Sequence, residues 1–121
     1  MLEGPVSNAR RKTMEARKLS DEYTVAGQIT PEDVQEIAAR GYRSIMCNRP
    51  DGESPDQPDF AEIEAAAREA GLEVAFLPVV SGQITDEDVE AFRERVAELP
   101  KPIFAYCRSG GRCQNLWTLS R

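Results

Sequence analysis

The 121-residue chain contains no histidine at all. That absence excludes a Ser-His or Cys-His nucleophile pair, an imidazole proton shuttle and any His-ligated metal. Cysteine is scarce as well. Cys47, Cys107 and Cys113 are too few and too unevenly placed for a secreted disulfide scaffold, and they suit a reducing compartment, so the expected location is cytoplasmic. No apolar run approaches the roughly 20 residues a membrane span needs. Arg10, Arg11 and Lys12 are followed by no apolar segment, so the start does not read as a secretory signal. Positive charge is in deficit, 15 Lys plus Arg against 21 Asp plus Glu for a net charge of −6. Such a balance argues against nucleic acid or an anionic membrane as the main partner.

What is present fits one compact domain, which the length allows and which two domains would overfill. Residues 1–13 lack periodicity and are expected to be a leader, with Met14 as the native start and residues 14–121 as the domain. Short apolar runs mark strands at Tyr23 to Val25, Ser44 to Cys47, Val74 to Val79 and Ile103 to Tyr106. Their weak alternation predicts strands covered on both faces. Thr30 before Pro31 and Thr85 before Asp86 can cap helices. Apolar residues at helical spacing follow: Val34, Ile37 and Ala38; Phe60, Ile63 and Ala67; Val89, Phe92, Val96 and Leu99. Gly41 and Gly71 stand where helix ends favour a left-handed residue. The alternation predicts an α/β fold with a mainly parallel sheet flanked by helices. Gly27-Gln28-Ile29-Thr30 returns 55 residues later as Gly82-Gln83-Ile84-Thr85. One repetition cannot make a solenoid, so it reads as the same way into a helix used twice.

Two loops leave strands on the edge where open parallel sheets bind ligands. The first, Asn48 to Asp59, is rich in Pro, Gly and acid and carries Arg49 and Asp51. The second runs Cys107-Arg108-Ser109-Gly110-Gly111-Arg112 and is the most informative stretch of the chain. A cysteine leaves a strand, passes a Gly-rich turn and meets an arginine as a helix begins. Backbone N–H groups in such a turn form an anion nest, and the helix adds the positive end of its dipole. The same donors favour thiolate over thiol, taking a cysteine from about 8.5 into the ~3.5–7.5 range. Cys107 is thus the candidate nucleophile and Arg112 its catalytic partner, with residues 108–111 as the anion-binding loop. Cys47 reads as core.

This loop resembles the Cys-Arg-x-Gly-x-Arg/Thr active-site loop of rhodanese-type sulfurtransferases. Across residues 14–119 the chain also resembles the bacterial beta-lactamase hydrolase-like protein, phosphatase-like domain family. The matching stretches are Lys18 to Asp21, Val25 to Thr30, Asn48 to Glu53, Leu77 to Val79 through Thr85, Tyr106 to Arg112, and Asn115 to Trp117. The resemblance implies a dual-specificity or tyrosine-phosphatase-like fold. It also implies companions such as a persulfide dioxygenase or a sulfide:quinone oxidoreductase. Family members usually carry Ser after the loop arginine; here Cys113 stands there, either packing, donating weakly to the thiolate, or resolving it into a disulfide. The chain ends one or two turns into its last expected helix, which fits a domain cut short at its C-terminus.

Two tests separate sulfur from phosphoryl transfer. Cysteine phosphatases use Cys-x5-Arg, whose ring of N–H groups holds a tetrahedral phosphate; this chain has Cys107-x4-Arg112, a tighter ring that better fits a terminal sulfur. Phosphate-ester cleavage also gains from a general acid. In dual-specificity phosphatases an aspartate follows the strand matching Leu77 to Val79, but Val80, Ser81 and Gly82 stand there instead, leaving Asp51 or Asp86 as substitutes. Both tests favour a sulfurtransferase. In that reading sulfane sulfur passes from thiosulfate or a persulfide, through a Cys107 persulfide, to a glutathione-like thiol. A phosphatase forming a phosphocysteine on Cys107 from a phosphate ester is the alternative. A non-catalytic docking domain of a sulfide-oxidation system is the third reading. No cofactor and no metal are expected.

Overall fold

The structure, a computed structural model, describes residues 15–121; the leader at 1–13 and the expected start at Met14 lie outside the described residues. Among the described residues five strands form one sheet in the order β1-β2-β5-β3-β4. They are β1 (Ala16–Ser20), β2 (Tyr23–Ala26), β3 (Ser44–Cys47), β4 (Glu73–Phe76) and β5 (Ile103–Tyr106). The pairs β2–β5, β5–β3 and β3–β4 are parallel, and only β1 runs antiparallel, against β2. The mainly parallel α/β expectation therefore holds.

Residue alternation along the central strands assigns the two faces. Ala26, Ile45, Cys47, Phe104 and Tyr106 point to one core, shared with α1 (Pro31–Ala39) and α2 (Phe60–Glu69) through Val34, Ile37, Ile63 and Ala67. Tyr23, Val25, Met46, Ile103 and Ala105 point to the other, shared with α3 (Asp86–Glu98) and α4 (Gly111–Leu119) through Val89, Phe92 and Leu116. Cys107 continues the β5 alternation by one step onto the α3/α4 face. A two-residue period thereby fixes which layer receives the sulfur.

The repeated motif is resolved as one capping device used twice. Thr30 accepts from Asp33 N–H while Asp33 accepts from Thr30 N–H at 2.9 Å; Thr85 and Asp88 repeat the exchange ahead of α3 at 3.1 and 3.0 Å. Each box satisfies otherwise orphaned helix donors, for about 1 kcal/mol. Gly41 and Gly71 follow the last turns of α1 and α2 at φ +96° and +83°, as expected.

Three expectations need correction. β1 was not foreseen, because an edge strand of largely exposed, polar residues carries no apolar pattern. The strand expected over Val74 to Val79 is Glu73–Phe76. Pro78 has no N–H to offer a ladder, although Leu77 and Val79 still donate to Cys47 and Asn48 carbonyls at 2.9 and 3.1 Å. Cover on both faces holds for β2, β3 and β5, but not for the edge strand β4, whose Phe76 is exposed and stacks on Phe60 at 4.6 Å.

Candidate active site

The three inner parallel strands deliver their loops to one edge. Past β5, Cys107 N–H donates to Ala26 O at 3.2 Å, and Gln28 N–H donates to Arg108 O at 3.2 Å. These bonds tie the loop after β5 to the loop after β2. Gly27 permits the approach, since a Cβ there would stand 3.0 Å from Arg108 O. Gly110 then turns the chain at φ +94° and is the N-cap of α4. Its N–H donates to Cys107 Sγ at 3.1 Å.

Cys107 Sγ is thus the acceptor at a helix N-terminus, the position the sequence assigns to it. Its pKa falls to about 5, chiefly through a hydrogen bond from the Cys113 thiol, against the opposing effect of burial, with N–H groups of Cys113, Ser109 and Arg112 adding to the fall. Cys113 itself is fully buried, and burial pushes its own thiol well up. The two thiols thus shift in opposite directions, Cys107 down and Cys113 up. Cys47 lies in the opposite core, raised by burial and donating to Arg49 O at 3.3 Å. All three cysteines are free.

A cleft of about 620 Å³ opens over the loop. Arg108, Ser109, Gly111 and Arg112 line it from the loop and α4, together with Arg49 from the loop after β3. The structure thereby brings Arg49 to the anion-binding loop across the sheet edge. Asp51 and Asp86 do not join them. Asp51 accepts from Phe60 N–H at 2.8 Å at the start of α2, and Asp86 lies in the first turn of α3. Neither is in the cleft lining. Cys113 is fully buried and is not in the cleft lining either. Among the described residues no group of three His, Cys, Asp or Glu side chains could hold a metal. No helix there is long and apolar enough to cross a membrane.

The site also contains a residue that the sequence did not single out. Glu53 takes Arg112 Nη1 and Nη2 at 2.7 and 2.9 Å, and Arg49 Nε at 2.9 Å on the same Oε1 that receives Arg112 Nη2. Arg112 Nη1 also donates to Val79 O at 3.1 Å, and Arg49 Nη1 to Gln28 Oε1 at 2.9 Å. The Arg112 hydrogen bonds, opposed by burial and helped by Arg49, lower the Glu53 carboxyl to about 2. Bonding through both Nη atoms holds the planar guanidinium by one edge. Asn115 and Ser81 complete the polar wall and were likewise not foreseen as site residues. Glu53 sits in an irregular Pro/Gly loop, where no periodicity says which side chains share a face. For Asn115, its place one helical turn beyond Arg112 was the available signal.

A cysteine of lowered pKa, held by backbone donors at the carboxyl edge of a parallel sheet, is an arrangement that can present a thiolate nucleophile. The fold around it is of the tyrosine and dual-specificity phosphatase type. The chain belongs to the beta-lactamase hydrolase-like protein, phosphatase-like domain family, whose model matches residues 15–121. It is 39% identical over 106 residues to a beta-lactamase hydrolase-like protein of Agrobacterium fabrum, covering 88% of this chain and 25% of that protein. It therefore spans about a quarter of the length of that curated relative. The crystal structure of a candidate phosphatase from Neisseria meningitidis superposes with a TM-score of 0.78 at 40% identity, over 83% of this chain and 71% of that one. A candidate phosphatase (DUF442) from Shewanella putrefaciens shares the fold at 19% identity, with a TM-score of 0.77 over 87% of this chain and 68% of that one.

Proposed function

We propose that this domain is a phosphatase-like hydrolase in which Cys107 is the nucleophile. The observation that carries the reading is the Cys107 sulfur, which accepts from Gly110 N–H at 3.1 Å and has its pKa lowered to about 5, in a loop whose following residues line a cleft with three arginines. Kinship with phosphatase-like proteins supports phosphate esters as the substrates more strongly than it supports sulfane-sulfur compounds. Cys107 attacks phosphorus, an S–P bond forms, and the ester P–O bond breaks, its electron pair leaving with the alcohol oxygen, which takes a proton from solvent. Water then cleaves the phosphocysteine, releasing inorganic phosphate and restoring the thiolate. The loop N–H groups and Arg112 hold the charge that accumulates on the phosphoryl oxygens, which is where preorganised donors contribute most. Free thiols suit work in the reducing cytoplasm.

Sulfur transfer is the second reading, favoured by the four-residue spacing between Cys107 and Arg112, one short of the phosphatase pattern. Cys107 would attack the outer sulfur of thiosulfate, breaking its S–S bond, expelling sulfite and leaving a Cys107 persulfide. A thiol, or cyanide in assay, would take that sulfur. A persulfide dioxygenase or sulfide:quinone oxidoreductase companion belongs with this second reading and stands on the resemblance alone. One experiment separates the two. Phosphate release from p-nitrophenyl phosphate is run beside cyanide-dependent thiosulfate consumption, on wild type and Cys107→Ala. Release of phosphate lost in the variant supports the phosphatase. Thiocyanate formation without phosphate release replaces it with the sulfurtransferase, and neither activity leaves the docking reading.

A further inference from the structure

We infer that the substrate is a phosphoanhydride, with a second phosphate as the leaving group, an inference that rests on the phosphatase reading and narrows it. Three features of the cleft converge on this chemistry. The first is the missing proton donor. An ordinary alkyl phosphate needs its leaving oxygen protonated, and that help is worth about 10²–10⁴-fold. Yet Asp51 is bound to Phe60 N–H outside the cleft, and Val80, Ser81 and Gly82 occupy the turn after β4. Among the described residues Glu53 is the one carboxylate lining the cleft, and two arginines hold it ionised, its carboxyl lowered to about 2. A carboxylate so held carries no proton to give at neutral pH. A departing phosphate needs none, because it leaves as a stable anion.

The second feature is surplus positive charge. One reacting phosphoryl group engages the loop N–H groups and Arg112. Arg49 is already paired with Glu53, whereas Arg108 is exposed and has no ion-pair partner among the described residues. Arg49 Nε and Arg112 Nη2 share one oxygen of Glu53 at 2.9 Å each, so they lie no more than about 6 Å apart. Glu53 bridges that pair, so the charge left for a second phosphate is carried by Arg108 at the rim. The third feature is the lining itself. Ser54, Ser81, Ser109 and Asn115 accompany the charged residues, and among the described residues no apolar side chain takes part. An aromatic ester would find no apolar wall in this cleft.

Attack by Cys107 on the terminal phosphorus forms the S–P bond and breaks the P–O–P bridge. The bridging electron pair leaves with the inner phosphate. Water then releases the second phosphate, its surplus proton passing to solvent.

Two measurements test this on the chain as it stands. Phosphate release is compared for pyrophosphate, p-nitrophenyl phosphate and glycerol phosphate. The nitrophenyl ester has a good leaving group without a second charge, and the glycerol ester has neither. The expected result is a kcat/KM for pyrophosphate at least tenfold above p-nitrophenyl phosphate, with a ratio that falls below twofold in Arg108→Gln. A preference for the aryl ester, or a ratio untouched by Arg108→Gln, overturns the inference while leaving the phosphatase reading intact. The second measurement is calorimetric binding of pyrophosphate and of inorganic phosphate to Cys107→Ser, which needs no turnover. Pyrophosphate binding at least tenfold tighter, with the difference erased by Arg108→Gln, supports the two-phosphate seat. Equal affinities refute it. Absence of Cys107-dependent release from any of the three substrates defeats the phosphatase reading itself and the inference with it.

Discussion

Removing one buried sulfur should make the nucleophile markedly less acidic. The Cys113 thiol is the largest single cause of the low Cys107 pKa, about 5. A hydrogen bond to a charged group contributes about 1.5–3 kcal/mol, and a thiol is among the weaker donors. At 1.36 kcal/mol per pKa unit, its loss should raise the Cys107 midpoint by about one unit. Cys113→Ala is therefore expected to move that midpoint to roughly 6, while Cys113→Ser, which keeps a stronger donor, should leave it at or below the wild-type value. The assay is the rate of iodoacetamide labelling of Cys107 against pH, read on the Cys107 peptide by mass spectrometry so that Cys47 does not contribute. The midpoint, not the absolute rate, carries the answer, which separates acidity from access to a sulfur that is only 1% exposed. If both variants titrate with wild type, the loop N–H groups alone set the acidity and the reasoning about Cys113 is refuted. The sign for stability follows. A folded pKa below that of the free thiol contributes stability that is complete above the ordinary thiol range and lost as pH falls through about 5.

Other expectations follow from the same geometry. Glu53→Gln should lower the urea midpoint at pH 6, and the gap to wild type should close between pH 4.5 and about 2, because the depressed carboxyl contributes stability only while ionised; a gap independent of pH would disprove the ion-pair account. Gly110→Ala must adopt φ +94° and bring its Cβ to 3.4 Å from Ala26 C, a strain of about 1–2 kcal/mol. It should raise the Cys107 labelling midpoint along with lowering Tm, since the N–H of residue 110 is one of the donors to the sulfur. Thr85→Ala should cost about 1 kcal/mol in denaturant unfolding yet leave the Cys107 midpoint unchanged, the cap being part of α3 and not of the loop.

The legible parts of this molecule are those written in local rules. Buried strands, Thr caps, and a cysteine followed by two glycines and an arginine each constrain a few consecutive residues, and the structure places Cys107 and Arg112 where such rules predict. β1 escaped because an exposed edge strand needs only a partner's backbone. Glu53 escaped for a related reason: its function depends on Arg112, 59 residues away, through a loop whose shape comes from Gly52 and Pro residues rather than from a period. Asp51 and Asp86 misled because a carboxylate near a helix start has two uses, capping and chemistry, and the capping use needs no distant partner.

The bond from Gln28 N–H to Arg108 O, with Gly27 fitted against the same carbonyl, means that the reactive turn borrows its shape from a segment eighty positions upstream. Engineers who wish to retune reactivity therefore have a remote dial. Exchanges at that neighbouring bend would shift the cradle by tenths of an ångström without altering a single group that meets the substrate.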